Sequence, residues 1–225
     1  MAFTSNAIIS TFPGTASMLS GISAGAKALG LKDYHAVGFA GDGGTADIGL
    51  QALSGAIDRN DRIIYICYDN EAYMNTGIQK SGLTPYGTRT TTTPAGKNDP
   101  GATSQKKNLF EIVAAHGIEY AATASIGYPE DYMKKVKKAS LCSGTSFIHV
   151  YASCPTGWGA AIDSSIELAK EVVDSGLWIQ AEYESGEYVL NRRPKTFASV
   201  RDYLKKQGRF KHLSDADIEQ IALQR

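Results

Sequence analysis

The sequence predicts an α/β protein, a parallel sheet flanked by helices with a C-terminal helical extension. Three observations lead there. Short apolar runs of strand length recur at 35–40, 62–68, 120–124 and 146–151. Between them lie stretches whose apolar residues repeat at helical spacing. The run Arg62-Ile63-Ile64-Tyr65-Ile66-Cys67-Tyr68 is almost continuously apolar, as a parallel strand buried on both faces must be.

Taken in order, residues 14–29 place Met18, Leu19, Ile22, Ala26 and Leu29 at helical spacing among small residues, and Gly30 is a good helix stop. No clear leading strand precedes this helix, so the N-terminus is expected to lack a segment its relatives carry. Residues 35–40 form a short strand that delivers the chain to Gly41-Asp42-Gly43. A helix over 46–57, with Ile48, Leu50, Leu53 and Ile57 mostly on one face, ends at the polar turn 58–61. The strand 62–68 follows and runs into Asp69-Asn70-Glu71-Ala72. Strand, helix and strand in this order imply a right-handed parallel unit.

Residues 75–107 are rich in Gly, Thr and Pro and have little periodicity. A stretch this long without its own pattern is functional or disordered. Leaving the C-terminal end of a parallel strand, it is read as a loop over a ligand site, with disorder expected especially over 97–105. Then come a helix at 108–116, a strand at 120–124, and a helix at 129–141 whose Lys134, Lys135, Lys137 and Lys138 read as a solvated face. A buried-type strand at 146–151 leads to Cys154-Pro155-Thr156-Gly157-Trp158 and an amphipathic helix at 162–174. Two short strands at 177–190 surround a Glu184-Ser185-Gly186-Glu187 turn, and polar helices over 196–207 and 214–224 close the chain. The expected division is a domain over 1–175 and an extension over 176–225 that packs on that domain or on a partner.

The chain has 225 residues, enough for a sizeable core, and balances 23 basic against 23 acidic residues. That balance gives no reason to expect a nucleic acid or an acidic membrane surface as partner. Cys67, Cys142 and Cys154 are too few and too scattered for a disulfide framework. No run is long enough to span a bilayer, and the first residues lack the pattern of a signal peptide. A soluble, cytoplasmic protein is the expectation.

The chemistry gathers in residues 41–75. Gly41 and Gly43 let the backbone turn sharply beside Asp42 and come close to a ligand. A helix N-terminus just beyond favours a phosphate. A carboxylate beside a phosphate is repulsive unless a cation bridges the two, as magnesium does with oxygen ligands. Asn70 ends the next strand, and parallel neighbours end at one sheet edge, so Asp42 and Asn70 can converge, with the Ala72 carbonyl beside them. His35, His116, His149 and His212 share no metal spacing; His149 reads as a satisfied core or interface residue.

Gly-Asp-Gly followed by a downstream Asn resembles the thiamine diphosphate motif. The longer wording is GDGGTADIGLQALSGAIDRNDRIIYICYDNEAYMNTGIQ, TPYGTRTTTTPAGK, HGIEY, ATASIGYPEDYMKKVKKA, CPTGW and QGRFKHL. It resembles the beta subunit of pyruvate:ferredoxin oxidoreductase and its 2-oxoacid relatives, from about residue 13 to the C-terminus. The resemblance implies a diphosphate-binding α/β domain in which Asp42, Asn70 and the Ala72 carbonyl bind Mg²⁺. Gly41, Gly43 and Tyr73 would line the diphosphate site, and Asn75 would face the thiazolium and substrate as the catalytic residue of this chain. It implies attack on the ketone carbon of a 2-oxoacid, loss of carbon dioxide, electron transfer to a [4Fe–4S] cluster and ferredoxin, and acyl transfer to coenzyme A.

The resemblance makes Cys154 the last ligand of that cluster. The family's other three cysteines, a CxxC pair among them, precede the part matched here, and this sequence has none of them. Either another stretch or another polypeptide supplies them, or no cluster is bound. The Glu that activates the cofactor belongs to the alpha subunit in this family, and Glu71 reads as structural, so the chain is expected to need a partner for activity. Two rivals remain: a thiamine diphosphate-dependent decarboxylase or synthase without iron–sulfur transfer, and a catalytically silent structural subunit.

Overall fold

The computed structural model describes residues 6–96 and 99–223. Helix α1 (Thr15–Ala28) leads into β1 (Val37–Gly41). Short α2 (Asp42–Ala46) and α3 (Leu50–Asp58) connect β1 to β2 (Ile64–Asp69). The long loop then reaches α4 (Leu109–Ala114), β3 (Tyr120–Ser125), α5 (Pro129–Leu141) and β4 (Ser146–Tyr151). Next come α6 (Pro155–Trp158), α7 (Ser165–Asp174), the hairpin β5 (Ala181–Glu184) and β6 (Glu187–Leu190), α8 (Val200–Lys205) and α9 (Asp215–Ala222).

The strands form one sheet in the order β1-β2-β4-β3-β5-β6. The first four are parallel, and β5 and β6 add antiparallel at the far edge. The hairpin lies within 176–225, and its β5 is hydrogen bonded to β3. Helices α1, α3 and α4 cover one face through Leu19, Leu53, Ile57, Leu109 and Val113. On the other face α5 covers β3 and β4, where Ala139 packs with Ile66, Ile148 and Val150. A third cluster joins Trp158, α7, α8 and α9 through Leu168, Val172, Tyr203, Leu204, Phe210 and Ile218. No helix among the described residues is long and apolar enough to cross a membrane.

Three local expectations need correction. The helix expected at 46–57 is broken: Asp42 itself opens α2, and Ile48 is exposed. The break is enforced at Gly49, where a Cβ would sit 2.2 Å from the Gly44 carbonyl oxygen. The lysines of α5 are not one solvated face. Lys135 is buried, donates to the Thr123 carbonyl at 2.8 Å and pairs with Asp131 at 2.6 Å. The helix expected over 196–207 is only Val200–Lys205, begun by the Ser199 hydroxyl accepting from the Asp202 amide. Within the stretch expected to be disordered, Lys97 and Asn98 lie outside the described residues, while Ala102 is buried and its amide bonds the Thr88 carbonyl at 2.9 Å.

The edge hairpin is fastened by one carboxylate. Glu182 accepts from the Tyr120 hydroxyl at 2.8 Å, from Lys138 at 2.6 Å and from the Asn191 amide at 2.6 Å. Burial alone would raise its carboxyl, but these donors hold it below the ordinary value. A depressed carboxyl adds stability above its unfolded value, about 4.3, and that stability is lost as pH falls through the folded value. Glu182→Gln should therefore lower Tm near neutral pH, and the gap to the parent chain should close below about pH 4. Thermal melts across that range measure it; a gap independent of pH would contradict this account.

Candidate functional site

Parallel register builds the site. Gly41 lies opposite Tyr68, so the residues just beyond, Asp42 and Asp69 to Ala72, emerge side by side at the C-terminal edge of the sheet. A cleft of about 180 Å³ opens there. Gly41, Asp42, Gly43, Asn70, Ala72, Tyr73 and Asn75 all line it, together with Phe12, Phe39, Tyr68 and Met74. The seven residues singled out in 41–75 thus share one wall system. Cys154 does not line this cleft; half-buried, it stands at the start of α6 among the third cluster's side chains.

Asp42 is 1% exposed. Its Oδ2 accepts from the Ser81 hydroxyl, donated by the long loop. Its Oδ1 faces the Asn70 amide, which also faces the Ala72 carbonyl. The spacings are 3.0 Å to Asp42 Oδ1 and 2.8 Å to the Ala72 oxygen. With its nitrogen inward, Asn70 donates to both. With its oxygen inward, three oxygens converge at those spacings. Adjacent ligands of an octahedral Mg²⁺ shell of radius about 2.1 Å stand roughly 3 Å apart. Cation-free, the nitrogen-inward orientation turns two repulsions into bonds; a bound cation reverses that preference. The donor set, one carboxylate, one amide oxygen and one carbonyl, is that of a hard divalent cation.

Charge points the same way. Burial, and then the neighbouring Asp69 charge, push the Asp42 carboxyl well above its ordinary value. Asp69 and Glu71 have their own cations. Lys106 pairs with Asp69 at 2.7 Å and with Glu71 at 2.9 Å, and Arg209 pairs with Glu71 at 2.5 Å. Among the described residues no ion pair reaches Asp42. Burial would raise Asp69 as well, yet Lys106 and the His149 hydrogen bond at 2.9 Å hold it low. His149 itself is pushed down by burial, so it is neutral at this position.

The loop carries strain. Glu71 has φ +66°, in the left-handed region, which costs an L residue about 1–2 kcal/mol. Stripping one partner from a buried ion pair costs about 3–5 kcal/mol, because it leaves the other charge buried and alone, so Lys106 and Arg209 hold the Glu71 carboxylate where the reversed backbone places it. The Glu71 amide donates to Asp69 Oδ1 at 2.9 Å, and the Thr84 hydroxyl donates to the Glu71 carbonyl at 2.7 Å. Glu71 points away from the cleft and lines a second cavity of about 270 Å³ with Lys106, Tyr203 and Arg209.

Tyr73 forms the opposite wall. Its hydroxyl donates to the Gly43 carbonyl at 3.0 Å and to Asp47 at 3.2 Å, and its ring stacks on Phe12. Burial and the Asp47 charge push its phenol up to about 12, so it holds its proton. Asp47 also accepts from the Gly82 amide at 2.9 Å and from Lys107 at 2.7 Å, tying the long loop to the sheet edge. Asn75 is exposed at the mouth of the cleft.

Ser81, Thr84, Lys106 and Arg209 escaped the sequence reading as site residues. Polar residues in an aperiodic loop, and one Arg in a C-terminal segment, give no local signal. QGRFKHL, quoted only for its wording, contains Arg209.

Fold and cleft together define an α/β domain whose parallel strands end at a cleft lined by the oxygen donors Asp42, Asn70 and Ala72. Residues 3–150 match the family described as thiamine pyrophosphate enzyme, C-terminal TPP binding domain. Pyruvate synthase subunit PorB of Methanothermobacter thermautotrophicus is 52% identical over 210 residues, covering 93% of this chain and 73% of that protein. Ketoisovalerate oxidoreductase subunit VorB of Pyrococcus horikoshii is 50% identical over 230 residues, covering 98% of this chain and 73% of that protein. A solved structure of 2-oxoglutarate:ferredoxin oxidoreductase from Magnetococcus marinus shares the fold at 18% identity and a TM-score of 0.57, over 95% of this chain and 74% of that one. The chain belongs to the thiamine pyrophosphate enzyme family and, within it, to the family of the PorB and VorB subunits.

Gly43 packs directly against Tyr73: a Cβ there would stand 2.3 Å from the ring. Gly43→Ala should displace Tyr73 and cost about 1–3 kcal/mol, as overpacking does. The urea midpoint should fall while far-ultraviolet circular dichroism is retained; an unchanged midpoint would mean that the ring moves freely.

Proposed function

We propose that this chain is the thiamine diphosphate-binding subunit of a cytoplasmic 2-oxoacid:ferredoxin oxidoreductase, with pyruvate as substrate. Residues 1–175 would be the cofactor-binding domain and 176–225 an extension folded back on it. The observation that carries the reading is the convergence of Asp42 Oδ1, the Asn70 amide and the Ala72 carbonyl at one buried carboxylate that lacks an ion-pair partner among the described residues.

In this reading Asp42, Asn70 and the Ala72 carbonyl hold Mg²⁺, and Gly41 and Gly43 let the backbone approach the diphosphate. The bound cofactor supplies an electron sink for decarboxylation of the 2-oxoacid. Tyr73 keeps its proton and walls the cleft. Asn75, at the mouth, orients the substrate. Phe12, Phe39 and Met74 give the cleft apolar walls.

The reading requires partners. Glu71 is bound to Lys106 and Arg209, so it cannot serve as the activating acid. On the sheet face away from α1, β1 and the end of β2 are uncovered beside the cleft: Phe39 is 57% and Tyr68 41% exposed. An alpha subunit seated on that face would bring the activating carboxylate to the cofactor, and other subunits would handle coenzyme A and ferredoxin.

A [4Fe–4S] cluster does not fit the thiols of this chain alone. It needs four thiolates. Cys67 is buried inside β2, and Cys142 ends α5 beside Arg62 and Gly144, at the sheet edge opposite Cys154. Cys154 is therefore one donor, and the remaining thiolates would come from another segment or polypeptide. That isolation also favours a second reading, a thiamine diphosphate-dependent decarboxylase without iron–sulfur transfer. Iron and sulfide analysis of the native complex separates the two: four irons per copy of this subunit would support the oxidoreductase, and none the decarboxylase.

Asp42→Ala should abolish Mg²⁺-dependent thiamine diphosphate binding, and chelation of Mg²⁺ should do the same to the parent chain. Titration calorimetry measures both. Unchanged cofactor affinity in a folded Asp42→Ala chain would overturn the assignment.

A further inference from the structure

Glu71 stands between two of the oxygen donors that face Asp42. The reversal at its positive φ lets the Asn70 amide and the Ala72 carbonyl face one side while the Glu71 carboxylate goes to the other. What holds that carboxylate therefore holds the geometry of the loop. One holder, Lys106, comes from the end of the long loop. The other, Arg209, comes from the short helical turn Gly208–Phe210, 138 positions further along the chain.

Arg209 is buried and grips the loop at two points. Its guanidinium donates to Glu71 Oε2 at 2.5 Å. The same guanidinium lies 3.9 Å from the centroid of the Trp158 ring, and the Trp158 indole N–H donates to the Asn70 carbonyl at 2.9 Å. Gln207 fixes the orientation of Arg209 by accepting from its Nε at 2.9 Å. The turn is itself anchored, since the Gly208 amide donates to the Gly159 carbonyl at 3.2 Å and the Arg209 carbonyl accepts from the Arg89 amide at 3.1 Å. A planar guanidinium can stack on an indole and hydrogen bond a carboxylate at once; an ammonium offers only a point charge. Both contacts end on the residues flanking or carrying the cation donors, rather than on a remote part of the core.

We propose that Arg209 is a positioning residue for the cation-binding loop: through Glu71 on one side and Trp158 on the other it sets the Asn70 amide and the Ala72 carbonyl, so that the C-terminal segment controls affinity for Mg²⁺ and thiamine diphosphate. This rests on the cofactor reading given under Proposed function. Loss of Arg209 leaves Glu71 with Lys106 as its cation, so the loop relaxes about Glu71 while the sheet and the α7–α9 cluster keep their apolar contacts.

The test uses the full chain with the subunits that purify with it, as Arg209→Met and, independently, Trp158→Phe, which keeps a ring under the guanidinium and removes the indole donor. Thiamine diphosphate affinity is titrated at fixed Mg²⁺. The electron paramagnetic resonance spectrum of Mn²⁺ bound in place of Mg²⁺ reports the coordination shell. Loss of a residue that orients metal ligands weakens binding about 10–100-fold, and Arg209→Met should fall in that range with an altered Mn²⁺ spectrum. Trp158→Phe should weaken binding by roughly the tenfold that one hydrogen bond is worth. A folded Arg209→Met complex with parental affinity and an unchanged Mn²⁺ spectrum overturns the proposal. If Arg209→Met does not fold, Trp158→Phe decides by the same two readouts. A parental complex that binds no thiamine diphosphate would instead overturn the cofactor reading beneath it.

Discussion

Three carboxylates, Asp42, Asp69 and Glu71, are buried at one edge of the sheet, and much of the surrounding architecture follows from keeping them there. A buried carboxylate needs a cation or hydrogen-bond donors close by. Lys106 meets this demand for Asp69 and Glu71 and so draws the end of the aperiodic loop back onto the sheet. Arg209 meets it for Glu71 and draws in the C-terminal segment. Asp42 receives a hydroxyl from Ser81 but no ion pair among the described residues, and it alone of the three lines the cleft. The arrangement neutralises the back of the loop and leaves at the front one buried carboxyl without a charge partner among the described residues, a demand that a cation would meet.

The same sheet is covered unevenly. On one face α1, α3 and α4 reach from β1 to β3. On the other, α5 lies over β3 and β4, and Phe39 and Tyr68 stand uncovered beside the cleft. The oxygen-lined end of the cleft is thus built into one chain, while its other end opens onto an apolar surface. That asymmetry suits the proposed reading, in which the chain would hold a cofactor by its charged end and a neighbouring subunit would activate it.

Legibility followed the range of the interactions. The strand 62–68 was readable because burial on both faces demands an unbroken apolar run, and the observed β2 spans Ile64–Asp69. Asp42 and Asn70 were readable because parallel strands bring their C-terminal ends to one edge. The break within 46–57 was not, since it arises from a backbone contact between Gly44 and Gly49 that periodicity cannot register. Lys135 looked like one of four solvated lysines until Asp131 and the Thr123 carbonyl received its ammonium in the interior. Lys106 and Arg209 carry no local pattern at all, because their roles depend on carboxylates far away in the chain.

By itself the sequence determined the α/β class, the order of the main elements and the gathering of Gly41, Asp42, Gly43, Asn70 and Ala72 at one sheet edge, while Tyr73 and Asn75 came from the family resemblance alone. These depend on local periodicity, on backbone freedom at glycine and on the geometry shared by all parallel strands. Only the tertiary structure decided which charges face the cleft and which are cancelled behind it. Pairing Glu71 with an arginine 138 positions away is a matter of which surfaces meet when the helices close over the sheet. The loop 69–75 could be picked out from its own residues, but what holds it in shape comes from the other end of the chain.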